Sequence, residues 1–232
     1  MDESLVATIK SRDRERWLSI LWAPAPARPA LVALHAFDLE QQRIVADTKE
    51  SLLGEIKLAW WREQLDALGK GGPPQAQPIL RALATEAIPR GVNPLTLSSM
   101  EEGFLPLLLD GPLDAPALAR ARGVPLFEAL ATVIAGAPLA AEAREAAAAA
   151  GVIWAWSRLL RGPWGEAGQH LAGLRLPAIA AAPRPLPPSL RGLTHLALDD
   201  CSRAAGGRKL VRPAAPARQW RFLRAALMAG HG

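Results

Sequence analysis

The sequence predicts an all-α protein, on three observations. Alanine and leucine dominate, and β-branched residues are confined to short clusters. No segment alternates polar and apolar residues for long enough to make a half-buried strand. Prolines, 21 of them, punctuate a series of segments whose apolar residues recur every three or four positions.

Taken in order, helices are expected over 4–21, 29–47, 52–69, 76–87, 94–109, 114–121, 124–135, 139–161, 188–204 and 217–229. Asn93 before Pro94, and Asp114 before Ala115–Pro116, read as helix caps followed by first-turn prolines. The run Ala181–Pro188 carries Pro183, Pro185, Pro187 and Pro188 and reads as a stiff connector; Gly206–Gly207 is a softer one. No repeat recurs at a fixed period. A chain of 232 residues is long enough for one contiguous core, so a single domain over 1–232 is expected, with 206–232 as a basic helical tail.

Two early helices carry the most information. In 29–47, Ala30, Ala33, Leu34, Phe37, Ile44 and Val45 share one face. His35, Asp38, Gln42 and Ala46 run along a second side, and Glu40, Arg43 and Asp47 along a third. In 52–69, Leu58, Trp61, Leu65 and Leu68 line one face with Ile56 and Trp60 beside it, while Glu55, Arg62 and Asp66 form the polar side. The Trp60–Trp61 pair reads as core packing.

Composition narrows the function. The 27 basic and 22 acidic residues give +5, but residues 201–232 hold seven basic residues and no acidic one, so the first 200 residues sum to 20 − 22 = −2. The basicity belongs to the tail, where Ala217–Ala229 interleaves Arg218, Arg221 and Arg224 with Trp220, Phe222, Leu223 and Leu227. Such a helix either docks on the body with its arginines in water or lies on an anionic membrane surface or an acidic protein partner, and a slightly acidic body argues against nucleic acid. The lone Cys201 excludes a disulfide framework and a cysteine zinc site. An acidic start at Met1–Asp2–Glu3 and the lack of a long apolar run lead to a soluble, cytoplasmic reading, and the basic tail adds a peripheral place at the inner face of a membrane.

Chemistry-bearing motifs are sparse. Carboxylates paired at i, i+4 on facing helices would suggest a magnesium site for diphosphate chemistry. Asp38 and Gln42 have the spacing, but the second is an amide; His35 and Asp38 lie one turn apart and supply only two ligands. Asp199 and Asp200 are adjacent and point in different directions. There is no nucleophile elbow, P-loop or dinucleotide fingerprint.

Within this frame the segment 34–83 resembles the squalene/phytoene synthase family. Ala36–Phe37 opens the helix where that family carries Ala-Phe-x-x-x-x-Asp-Asp-x-x-Asp, and Leu58-x-x-Trp61-Arg62-x-x-Leu65, Gly71–Gly72 and Pro78-Ile79-x-x-Ala82-Leu83 follow its next two helices. Leu159-Leu160-Arg161 and Leu176-Pro177 match a later motif, in the block from Gly151 to Pro177. The resemblance implies an isoprenoid-synthase-like helical bundle around a central cavity. In active members the aspartates hold magnesium ions that bind the substrate diphosphate and draw it off.

This chain departs from the pattern at those positions. Gln42, Arg43 and Ala46 replace the three aspartates of the first motif. At the second, Gly162 follows Arg161, only Glu166 stands near the partner acid, and Arg175 replaces the tyrosine before Leu176-Pro177. A charge contact at about 4 Å is worth roughly 4 kcal/mol at an effective dielectric of about 20. Losing one from a transition state therefore costs around a thousandfold. Gly54-Glu55-Ile56-Lys57-Leu58-Ala59-Trp60-Trp61-Arg62 is similar to a divergent branch that also lacks the aspartates and includes an assembly factor of a respiratory complex. The expectation is a catalytically degenerate protein with no catalytic residue, no metal ligand and no cofactor, acting as a peripheral membrane or protein-binding factor. Its ligand-contacting candidates are His35, Asp38, Gln42, Arg43, Arg158, Arg161 and Glu166. Two alternatives stay open. One is a prenyltransferase with a non-standard site acting on farnesyl or geranylgeranyl diphosphate, with magnesium as its cofactor, or with Arg43, Arg158 and Arg161 holding the diphosphate directly without metal. The other is a carrier of an isoprenoid or lipid ligand.

Overall fold

In the computed structural model, which describes residues 2–162, 185–213 and 215–227, Asp13 divides the first predicted helix in two. Helix α1 spans Glu3–Arg12 and α2 spans Arg14–Leu21. Asp13 sits between them in extended conformation, and its side chain accepts hydrogen bonds from the backbone N–H groups of Glu15 and Arg16. This caps α2 and satisfies two of its first orphan donors.

Helix α3 (Arg28–Asp47) is the central element, buried along nearly its whole circumference. Its Ala30–Leu34–Phe37 face joins the core as its periodicity predicts, and its second side, with His35 and Asp38, is buried as well. Helix α4 (Ser51–Gly69) buries Leu58, Trp61 and Leu65 on one face. Trp60 departs from the expectation of core packing: it lies on the outer side, edge-on to Trp61 at 5.2 Å between ring centroids. Helix α5 (Pro78–Ala82) runs into a π turn over Leu83–Ala87. The predicted helix 94–109 is shorter, with α6 (Pro94–Ser98) giving way to 3-10 turns at Ser99–Gly103 and Leu105–Leu108. Asn93 and Asp114 cap α6 and α7 through their side chains.

The helices expected at 114–121 and 124–135 are one, α7 (Ala115–Ala135), with Pro125 inside it. Proline removes one intrahelical bond, but α7 packs along α8 (Ala141–Arg161) in the most extensive helix pairing of the described residues, and this burial holds it through the proline. The two backbones touch where Gly123 crosses Gly151: a Cβ on either would lie 2.1 Å from the other's carbonyl oxygen. Helix α9 (Pro188–Ala205) lies against α8, and α10 (Pro216–Leu227) packs on α9 with Phe222 seated over Gly192.

Among the described residues there is no strand, in keeping with the all-α class, and no helix long and apolar enough to cross a membrane.

The Gly123–Gly151 crossing sets the position of α8 and hence of its inward side chains. Gly123→Ala is expected to lower the denaturant midpoint by the equivalent of about 3 kcal/mol, the upper end of overpacking costs, because the obstructing atoms are backbone and cannot yield. An unchanged midpoint would show that the helices are not in contact there.

Candidate functional site

The N-cap of α2 is also the start of a buried chain of charges. Asp13, while capping α2, accepts from Arg16 Nε at 3.1 Å and from Arg158 Nη1 at 3.0 Å. Arg16 reaches on to Asp38 through Nη2 at 2.6 Å, and Arg122 from α7 grips the same carboxylate with Nε and Nη2, each at 2.8 Å. Arg122 Nη2 also donates to Gln42 Oε1 at 3.0 Å. In the other direction Arg158 donates to Glu15 at 3.0 Å, Glu15 accepts from Arg218, and Arg218 donates to both oxygens of Asp200 at 2.6 and 2.9 Å. Asp200 in turn accepts from Ser157 Oγ and from Arg161 Nε, both at 2.6 Å. Four carboxylates and five guanidiniums, drawn from α2, α3, α7, α8, α9 and α10, thus form one continuous network in the space between those helices.

Trp154 supplies its floor. The guanidiniums of Arg16, Arg122 and Arg158 lie 4.9, 5.2 and 5.5 Å from its ring, and Arg122 also lies 4.7 Å from Phe104. Arg122 Nη1 and Arg158 Nε have no acceptor among the described residues; the aromatic faces stabilise these cations instead. Trp154 and Trp156, both on α8, are fully buried in the interior of the bundle.

The electrostatics follow from this packing. Burial alone would raise the pKa of Asp38, but the charges and hydrogen bonds of Arg122 and Arg16 overcome it and hold the carboxyl far below its ordinary value. Asp13 and Asp200 are lowered in the same way, against burial, by Arg158 and Arg16 and by Arg161 and Arg218 respectively. His35, whose Nε2 lies 3.3 Å from Ser19 Oγ, is pushed down to about 3 by burial and then by the charge of Arg16, and it is neutral at neutral pH.

Of the residues singled out in the sequence, the structure brings His35, Asp38, Gln42, Arg158 and Arg161 to this one region. Arg43 is elsewhere: it turns outward and pairs with Glu40 and Asp47 of its own helix, so it does not join Arg158 and Arg161 around a common ligand. Glu166, with Arg175 and Leu176–Pro177, lies outside the described residues. Sequence reasoning missed Asp13, Glu15, Arg16 and Arg122, set Asp200 aside with Asp199 as a pair that points in different directions, and placed Arg218 in a basic tail with its arginines in water. Arg218 is instead fully buried. One signal was available: Arg122 falls on the same stripe of α7 as Leu118, Ala119 and Leu126, a charge on an apolar face.

A magnesium ion does not fit these residues. Its ligands would be carboxylate oxygens, and each carboxylate oxygen of Asp38 is already held by a guanidinium, a cation where a cation would bind. No group of three or more His, Cys, Asp or Glu among the described residues could hold a metal. Two of the best-formed hollows, of about 260 and 170 Å³, lie away from the network, beside Arg62 and Glu101 and beside Asp2 and Arg81. The arrangement can tie six helices together; it leaves Asp38 no oxygen free of a cation for acid–base work.

Two outcomes follow for stability. Asp38→Asn leaves Arg16 and Arg122 buried without their shared counter-ion and is expected to destabilise the fold by about 3–5 kcal/mol in urea unfolding; a loss of well under 1 kcal/mol would mean that the network does not hold the bundle. Acid should also weaken the protein early. Unfolded histidine takes up a proton below about 6.5 whereas folded His35 does so only near 3. Its contribution is therefore whole above about pH 6.5 and is lost as pH falls towards 3, by up to about 1.4 kcal/mol per pH unit. His195, lowered by partial burial, acts in the same direction. The melting temperature should fall between pH 7 and pH 5, and His35→Gln should flatten that slope without abolishing it.

Comparison with known proteins agrees with the motifs. Residues 9–104 match the squalene/phytoene synthase family. Over 78 residues the chain is 30% identical to a Bos taurus protein named NADH dehydrogenase (ubiquinone) complex I, assembly factor 6, and 27% identical to the Homo sapiens protein of that name. Each alignment covers 34% of this chain and 23% of the relative, so the chain matches about a quarter of the length of these curated relatives. No solved structure matches it significantly. Through residues 9–104 the chain is thus similar to the squalene/phytoene synthase family, and over 78 residues to relatives named as a complex I assembly factor.

Proposed function

We propose that this chain is a non-catalytic, protein-binding member of its family, an assembly-type factor that uses the inherited helical bundle as a scaffold and works without magnesium. The observation that carries the reading is the engagement of Asp38: both of its oxygens are held by Arg16 and Arg122, next to the positions where Gln42, Arg43 and Ala46 stand in place of the family's aspartates. The assembly-factor names of the curated relatives support the protein-binding half of it.

The same reading puts the chain at the inner face of a membrane or on an acidic protein. Its support is chemical. Arg208, Lys209 and Arg212 are exposed between α9 and α10, and Trp220 on the outside of α10 is 70% exposed. An amphipathic aromatic flanked by cations suits an anionic interface. Because Arg218 and Phe222 anchor α10 to the body, the contact would be made by a docked helix and its approach loop rather than by a free tail.

Purified protein incubated with farnesyl or geranylgeranyl diphosphate and magnesium is expected to release no diphosphate and form no condensed product above a protein-free control. Calorimetry with a non-reactive farnesyl diphosphate analogue should show no magnesium-dependent binding. Turnover, or tight binding that requires magnesium, would overturn the proposal in favour of the prenyltransferase.

A further inference from the structure

We infer that the outer face of α4 is a docking site for an amphipathic helix of a partner protein, one that carries basic residues beside its apolar stripe. The inference rests on the protein-binding reading above and names the partner's chemistry. Helix α4 has two apolar faces where a surface helix needs one. Leu58, Trp61 and Leu65 are spent on the core. Leu52, Ile56 and Trp60, spaced by four residues with Leu53 beside them, form a second stripe on the opposite side, at 66%, 58% and 39% exposure for the first three. Scattered exposed apolar residues are ordinary, but a contiguous helical stripe with a tryptophan in it is the pattern of an interface core.

Charge decides among the occupants. Glu63 continues the stripe one turn beyond Trp60, and Glu55 and Asp66 border one side of it; none of the three makes an ion pair among the described residues. Arg62, on that same side, is committed to Glu101 at 2.9 Å, which leaves Lys57 as the charge on the other border. An anionic lipid surface would be repelled by this border, whereas lysines or arginines flanking the apolar face of an incoming helix would meet Glu55, Glu63 and Asp66. A helix laid along the stripe uses anchors at i, i+4 and i+8, the spacing of Leu52, Ile56 and Trp60. The stripe also falls inside the segment that matches the family, in the stretch Gly54–Arg62.

The test uses the full chain and two designed helical peptides with the same leucine face, one bordered by lysines and one by glutamates, followed by fluorescence anisotropy. The lysine peptide should bind about tenfold or more tightly than the glutamate peptide, and Glu63→Lys should shrink that preference. Ile56→Ser, at a side chain that is 58% exposed, should weaken the lysine peptide about tenfold while leaving the thermal melt nearly unchanged; Trp60→Ala serves as a second variant. Equal affinity for both peptides, no binding of either, or indifference to Ile56→Ser would overturn the inference. Two further results would reassign the face. Loss of flotation with phosphatidylcholine–phosphatidylglycerol vesicles in Ile56→Ser would give it to lipid, and loss of a concentration-dependent dimer in sedimentation would give it to a second copy of the chain. Turnover of a prenyl diphosphate would remove the non-catalytic reading and leave the peptide result standing, so the two failures are distinguishable.

Discussion

Burying nine charges among six helices is the constraint on which the rest of this structure depends. A single carboxylate or guanidinium taken out of water costs several kcal/mol even after the protein relaxes. Here no ion of the network stands alone. Asp38 is shared by Arg16 and Arg122, Asp13 by Arg16 and Arg158, Glu15 by Arg158 and Arg218, and Asp200 by Arg161 and Arg218. Because each carboxylate bridges two cations, removing one member strands its neighbours, and the helices that carry them are fixed relative to one another. Trp154 completes the arrangement: its ring lies beneath three guanidiniums and offers them electron density where no further oxygen is present.

The same low-dielectric interior could have been used differently. A water-poor pocket lined by carboxylates strengthens every interaction with a bound cation, which is how the resemblance implies that the family's enzymes work. In this chain the buried carboxylates are Asp13, Glu15, Asp38 and Asp200, and the cations that meet them are arginines of the protein itself. Asp13 shows how closely the local and the global are joined. By capping α2 it splits the N-terminal helix, and the helix that begins there directs Glu15 and Arg16 inward to the network. A residue that in most helices serves only backbone donors here also holds two arginines from different elements.

The surface is organised on the opposite plan from the interior. Where the core pairs every carboxylate with arginine, the outer face of α4 leaves Glu55 and Glu63 beside exposed leucine, isoleucine and tryptophan, and the approach to α10 exposes cations without acids. Charges that are not needed to neutralise one another inside are free to select partners outside, where screening makes them weak stabilisers but effective discriminators.

Much was legible in the sequence because it is local. Helical periodicity, the caps at Asn93 and Asp114, the apolar face of α3 and the family motifs around Ala36–Phe37 and Gly54–Arg62 all depend on residues within a few turns of each other. The break at Asp13 and the continuity of α7 through Pro125 were not, since packing overrode propensity in one and a side-chain cap in the other decided the geometry. The site divides along the same line. His35, Asp38 and Gln42 could be picked out by their spacing on one helix, but nothing in that spacing said that Asp38 would meet Arg122, 84 positions away, or that Glu15 would meet Arg218, 203 positions away. The sequence by itself determined most of the helices and that Gln42, Arg43 and Ala46 stand where the pattern it resembles has aspartates. Only the tertiary structure decided that Arg16 and Arg122 would meet on Asp38, because ion pairs between distant helices are set by how the helices pack and not by any period along the chain.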